Sequence, residues 1–228
     1  MAEKSYRIFP LGDSALTVEF GNVISENVNR TAIAVADAVK NLNITGIIET
    51  VPAYASATVY YDPIAIRRGF PDASSAFAAV SAIVEKTIRS SSHSDNESAE
   101  PIEIVVDFSP AAALDLEFVA ELSGLSTVDV IEIFTRPVYR VFMLGFLPGF
   151  AYMGEIDERI ATSRKDAPRL SVPAGSVGIA GRQTGIYSLP SPGGWQILGR
   201  TDAAMFDPKR EVPCLLNPGD HVRFIPAI

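Results

Sequence analysis

Reactive side chains are scarce in this 228-residue sequence, which has one cysteine and two histidines. Cys214 alone cannot form an internal disulfide, and with only His93 and His221 beside it no transition-metal centre built from those residues is expected. No apolar run approaches the roughly 20 residues needed to cross a bilayer. The opening MAEKSYRIFPLGDSA lacks the basic-then-apolar layout of a secretory signal, so the expected location is cytoplasmic, without membrane contact. Positive charge is also in short supply. With 19 Lys and Arg against 27 Asp and Glu, the formal charge of −8 argues against general nucleic-acid binding, which needs clustered cations on phosphate. Three familiar catalytic signatures are missing: the GxSxG elbow, the glycine-rich loop ending in Gly-Lys-Ser/Thr, and HExxH. A hydrophobic content of 47% with 20% charged residues is that of an ordinary globular protein.

Periodicity divides the chain in two. Residues 15–20 (ALTVEF) alternate as a half-buried strand, and Ser25 is placed to cap a helix in which Val28, Ala32, Val35 and Val39 recur at helical spacing. Residues 47–51 and 57–61 read as strands, and Pro71-Asp72 as the start of a second helix with Phe77, Val80, Val84 and Ile88 on one face. The serine-rich SSSHSDNESAE then contains nothing apolar larger than alanine, which marks a flexible linker and leaves His93 in a solvated setting. The expected organisation is an α+β domain over 1–89, the linker over 90–100, and a mainly-β barrel over 101–228.

In that second part, residues 102–108 read as a strand and 115–122 as a helix. Ser126 and Asp129 are spaced as a capping box opening another helix. The helix pair is not read as a DNA-binding helix-turn-helix, because its second helix carries Asp129 and Glu132, which phosphate would repel. Two small helices covering one end of a barrel fit better. The remainder falls into strand-length pieces, VYRVFML, SVGIAG, TGIYSL, GWQILGR and HVRFIPA, punctuated by turns.

Residues 145–201 carry the chemistry. Glycine and proline are too dense there for a helix, and glycine lets a backbone approach a ligand closely. GFLPGFAYMG, with Phe146, Pro148, Gly149 and Phe150, reads as an irregular site-lining loop at the barrel mouth. Gly175, Gly178 and Gly181 lack dinucleotide-binding spacing and read as turn or strand-crossing glycines. Arg169, Gln183, Thr184, Tyr187 and Arg200 are polar groups set among them. Arg169 and Arg200 have a structural reading, as clamps on Asp157, Glu158 or Asp202, and a functional one, as bidentate holders of a carboxylate or phosphate. Gln183 and Tyr187 would then orient a reacting amide. Trp195 is a packing anchor or an interface residue, Cys214 a small buried hydrophobe and His221 a structural histidine.

The ordered set GFLPGFAYMG, PRLSVPAGSVGIAG, QTGIY and SPGGWQILGRT, with Gly12-Asp13-Ser14-Ala15, Val51-Pro52-Ala53-Tyr54 and Pro218-Gly219-Asp220 outside it, resembles a bacterial family. It includes the B subunit of 5-oxoprolinase, the Kip-type inhibitors of sporulation histidine kinases, and subunit 1 of allophanate hydrolase. The resemblance implies a cyclophilin-like barrel for the second half. It also implies half of a site shared with a C-type subunit, like the two halves of the carboxyltransferase domain of urea carboxylase. With an A-type subunit as well, ATP hydrolysis, with its Mg, would open the lactam of 5-oxo-L-proline to L-glutamate, Arg169, Gln183 and Tyr187 acting at the ring. Kinase inhibition and urea or allophanate chemistry are the alternatives the same family offers. The sequence departs from the common pattern at Phe134, where relatives often have histidine, and over FSPAAALD (residues 108–115), where a Gly-Gly stretch is frequent.

Overall fold

The computed structural model describes residues 6–90 and 100–227. Residues 91–99, which include His93 and most of the expected linker, lie outside them. The chain divides into two compact units, Met1–Asn96 and Glu97–Ile228. Among the described residues no helix is long and apolar enough to cross a membrane.

In the first unit, strands β1 (Arg7–Pro10), β2 (Ala15–Glu19), β3 (Ile47–Pro52) and β4 (Ser56–Tyr61) form an antiparallel sheet in the order β1-β2-β4-β3. Helix α1 (Glu26–Asn41) turns Ala32, Val35, Ala36 and Val39 inward, as their three- and four-residue spacing dictates. Ser25 is its N-cap residue, but the side chain makes no capping bond. A short helix, α2 (Pro63–Gly69), adds to the expected elements. Its signal is a local one: the Asp62 carboxylate accepts the Ile64 and Ala65 amides at 2.8 and 3.1 Å, and Pro63 occupies the first turn. Helix α3 (Ala76–Ser90) starts later than Pro71-Asp72, because the Ser75 hydroxyl accepts the Ala78 amide and fixes the first turn there.

The second unit contains β5 (Ile102–Val106), α4 (Leu116–Ser123), α5 (Thr127–Thr135), β6 (Tyr139–Leu144), β7 (Ala151–Gly154), β8 (Arg169–Val172), β9 (Ser176–Ala180), β10 (Gln183–Ile186), β11 (Ser191–Gly193), β12 (Gln196–Arg200) and β13 (His221–Pro226). Seven of these strands form one mixed sheet, ordered β12-β9-β10-β7-β6-β13-β5, in which only the β5–β13 pairing is parallel. Just beyond β5, Asp107 exchanges both backbone hydrogen bonds with Arg200 at the end of β12, at 2.7 and 2.9 Å. The two outer strands therefore meet, and the sheet curls towards closure as a barrel. Gly199 makes the seam possible, since a Cβ there would lie 2.6 Å from Val106 Cγ1 and 2.8 Å from the Asp107 carbonyl. Strands β8 and β11 form a separate two-stranded ribbon.

Helix α5 opens with the expected capping box between Ser126 and Asp129. It buries Val130 and Phe134 over β13, while α4 packs on β12. Phe134 is fully buried and stacks on Phe224 at 5.0 Å, with Tyr139 5.6 Å away and donating its hydroxyl hydrogen to the Phe134 carbonyl. Phe134 is thus a wall of the main core.

Candidate functional site

A smaller cluster of buried side chains lies apart from that core, in which Phe150, Tyr187 and Trp195 join Val172, Ala180 and Ile197, with Leu147 and Tyr152 packed against them. The loop 145–149 between β6 and β7 builds one side of it. Three backbone hydrogen bonds knot this loop, Gly145 to Phe150 and Phe150 to Leu147 among them. Gly149 adopts φ +76° and runs so close to residue 205 that a Cβ would sit 2.8 Å from the Met205 carbonyl. Phe146, at φ +67°, holds a left-handed backbone that non-glycine residues rarely adopt, and its ring stays 60% exposed. That ring meets Phe150 edge-on at 5.5 Å and Tyr187 at 6.4 Å, while Phe150 touches Tyr152, Tyr187 and Trp195 at 4.8 to 5.5 Å. Edge-to-face packing of this kind adds about 1 kcal/mol per pair beyond simple burial.

Between these rings and the segment 164–168 lies an open cleft of about 230 Å³, with Pro192, Gly193 and Gly194 along its edge. The Tyr187 hydroxyl accepts the Trp195 amide hydrogen. A Cβ on Gly193 would come within 2.2 Å of that hydroxyl, so only glycine leaves room for it. Burial pushes the Tyr187 and Tyr152 phenols above their ordinary values. Arg164 supplies the cleft's positive charge. Its guanidinium lies 5.8 Å from the centre of the Trp195 ring and has no carboxylate partner among the described residues.

The lip carrying Arg164 is fixed from below. Asp115 is 3% exposed and accepts four hydrogen bonds: two from Arg169 at 2.7 and 2.8 Å, one from Lys165 at 2.9 Å, and one from the Ile197 amide at 2.7 Å. Burial alone would favour the neutral acid, but the Arg169, Ile197 and Lys165 hydrogen bonds hold the carboxyl below its usual value. Next to Arg164 on either side, Gln196 Nε2 donates to the Ser163 carbonyl at 2.9 Å and the Lys165 amide donates to the Gly194 carbonyl at 2.7 Å.

Comparison with known proteins places this architecture. A family described as carboxyltransferase domain, subdomain C and D, matches residues 6–216. The chain belongs to that family. The B subunit of 5-oxoprolinase from Bacillus subtilis (strain 168) is 42% identical over 221 residues, 96% of this chain and 92% of that protein. Its counterpart from Escherichia coli O157:H7, also a 5-oxoprolinase B subunit, is 50% identical over 136 residues, 58% and 62% of the two chains. Among solved structures, TTHA0988 superposes with a TM-score of 0.81 at 38% identity. The match covers 94% of this chain, which spans 40% of that longer one.

Within this subdomain C and D chain, the residues singled out from sequence fall into two groups. Phe146, Phe150, Tyr187 and Trp195 converge on the cleft, with Pro148 and Gly149 shaping the loop beside it. The others lie elsewhere. Gln183 pairs across β10 with Gly154 and Ala180, and Thr184 is buried, donating to the Gly178 carbonyl at 3.0 Å. Arg200 belongs to the barrel seam through its backbone, its side chain exposed. Arg169 pairs with Asp115, not with the acids expected as its clamp; Asp157 and Glu158 bind Arg159 and Arg182 instead. Cys214 is half-buried rather than buried.

Gly175 and Gly178 serve close chain crossings, as a Cβ on Gly175 would stand 2.1 Å from the Thr201 carbonyl and one on Gly178 3.2 Å from that of Gln196, whereas Gly181 has open space and takes a left-handed turn at φ +58°. Two groups escape a reading of the sequence alone. Asp115 lies 50 and 54 residues from its cationic partners, and no local pattern signals such a pairing. Arg164 sits in a plain TSRKD stretch, where the one available hint is a cation flanked by motif residues. Among the described residues, no group of three or more His, Cys, Asp or Glu side chains is arranged to hold a metal ion.

Proposed function

We propose that this chain is the B-type component of an ATP-dependent 5-oxoprolinase, which with a C-type and an A-type subunit opens 5-oxo-L-proline to L-glutamate. The near end-to-end match to the 5-oxoprolinase component from Bacillus subtilis carries the reading. The cleft is in keeping with it. At about 230 Å³ it is smaller than the roughly 300–1,000 Å³ usual for drug-sized ligands, and it suits one small ring. Its titratable lining groups are Tyr152, Tyr187 and Arg164, with both phenols pushed up by burial. Such a surface binds and orients, and proton transfer near neutrality must come from another chain.

That chain is taken to be the C-type subunit. A family defined as subdomains C and D implies complementary subdomains elsewhere, and this chain spans only part of the longer TTHA0988 polypeptide. Leu170, 92% exposed on the β8–β11 ribbon, is assigned to that contact, whereas Trp195, expected as an interface residue, is 5% exposed and packs in the aromatic cluster. Alone, the chain is expected to be inert.

A lactam is a resonance-stabilised amide, so its opening needs the activation that ATP supplies. At about 230 Å³ the cleft is too small for a nucleotide, and Gly175 and Gly178 face the chain's own carbonyls, so neither is read as a nucleotide cradle. We assign nucleotide, with its Mg, to a partner. Here Tyr187 and Phe146 hold the ring, Arg169 acts through Asp115 on the lip, and Gln183, Thr184 and Arg200 support the sheet behind. We also read the curled seven-stranded sheet as the cyclophilin-like barrel, and the location as cytoplasmic.

The test is co-expression of all three subunits, with an assay of ATP-dependent glutamate release from 5-oxoproline. Turnover only with the full set is expected. No turnover, together with tight binding to a histidine kinase or with urea or allophanate as the working substrate, overturns the reading in favour of the corresponding relative.

A further inference from the structure

The cleft is aromatic on its walls and carries one positive charge at its rim, and both features are held in place by the chain itself. Arg164 is the cation. An arginine on an exposed loop ordinarily spends its charge on a nearby carboxylate or on solvent. Asp115 takes Arg169 and Lys165, Asp157 takes Arg159, and Glu155 and Glu158 take Arg182, while Asp166, two residues along, makes no ion pair with Arg164 among the described residues. Arg164 instead lies over Trp195, so its guanidinium keeps several N–H donors unused.

Its backbone is also immobilised on both sides, at Ser163 by Gln196 and at Lys165 by Gly194, while the Lys165 ammonium is anchored on buried Asp115. A side chain this well placed loses less freedom on binding an anion than a free surface arginine does. Phe146, Tyr152 and Tyr187 line the same cleft. A flat ring fits between aromatic walls, and a guanidinium accepts a carboxylate through two parallel hydrogen bonds.

We infer that this cleft is a binding site for a small, flat ring bearing a single carboxylate, with Arg164 holding the carboxylate and the Phe146, Tyr152 and Tyr187 rings holding the ring. Resting on the proposed function, the inference deepens it: the ring is the lactam, and Arg164 is the residue that distinguishes 5-oxo-L-proline from an uncharged lactam. The site is present in the isolated chain, before any partner is added.

Trp195 is the chain's single tryptophan and adjoins Arg164, so its fluorescence reports the cleft directly. The full chain is titrated with 5-oxo-L-proline, with benzoate as a second flat carboxylate, and with 2-pyrrolidinone as the same lactam without the acid. Heats of mixing provide a second readout. Saturable changes are expected for both acids, and none for 2-pyrrolidinone at the same concentrations. Arg164→Gln should weaken the acids by about ten- to a hundred-fold, the range expected for losing a hydrogen-bonded charge, and Arg164→Lys should fall between. No saturable binding of either acid, equal binding of the neutral lactam, or unchanged binding in Arg164→Gln each overturns the inference. If the assembled enzyme turns over 5-oxoproline but the cleft fails these titrations, the functional reading stands and this site does not. Where the acids bind through Arg164 and the full assembly still leaves 5-oxoproline intact, the site stands and the functional reading falls.

Discussion

Replacing Asp115 by alanine removes a carboxylate that takes four hydrogen bonds while 3% exposed. Summed at about 1.5–3 kcal/mol for each bond to a charged group, the loss would be overstated. Arg169 and Lys165 are 24% and 29% exposed, so water recovers part of their solvation once the acid is gone. Removing one partner of a buried pair costs about 3–5 kcal/mol, and the reach of solvent places this case near the lower end, about 3. For a unit of this size that is a drop in Tm of about 10 °C. Differential scanning calorimetry, with Trp195 emission to identify the transition, measures it. Asp115→Asn, which keeps an acceptor for Ile197 but loses the charge, should fall between. Arg169→Ala completes a double-mutant cycle with Asp115→Ala and should show strong coupling. Acid adds an independent check. The folded carboxyl titrates below its ordinary value, so its contribution is complete above about pH 4 and is lost as pH falls through the folded value. Asp115→Asn should flatten that part of the stability profile. A Tm loss under about 2 °C for Asp115→Ala would refute the account, because the ion cluster would then contribute no more than a surface pair.

Gly175 combines φ +81° with a carbonyl 2.1 Å from where a Cβ would lie, so Gly175→Ala should cost at least about 3 kcal/mol, read from a circular dichroism melt or as failure to accumulate folded protein. Arg200→Ala should leave Tm within about 2 °C, because its seam contacts are backbone ones; a larger fall would give the guanidinium a structural task.

Local chemistry makes some of this fold readable and hides the rest. The capping box at Ser126 and Asp129 and the inward stripes of α1 and α3 follow from spacing a few residues long. Helix α2 carries its signal in Asp62-Pro63, yet seven residues are too few for a periodicity to show. Strand β7 is masked in the sequence, since the glycines and proline of 145–149 lead into it without a break. Of the polar residues singled out, Tyr187 lies in the cleft because its ring extends the aromatic cluster that Phe146 and Phe150 begin. Arg169 turns elsewhere because a buried carboxylate 54 residues earlier outcompetes a solvent-facing role.

The same contacts bear on where the chemistry resides. Lys165 and Arg169 both turn their charge onto the single Asp115 carboxylate, and their effect on a ligand passes through the lip that presents Arg164. The cleft phenols are held protonated by burial, so neither serves as a base at neutral pH. A lactam bound there would meet aromatic surface and a guanidinium, which fix its orientation without drawing a proton from water. On the proposed reading, the group that activates water belongs to a partner polypeptide. Changes at Arg164 should accordingly raise KM in the assembled enzyme and leave the pH dependence of kcat, set by the partner's groups, unmoved.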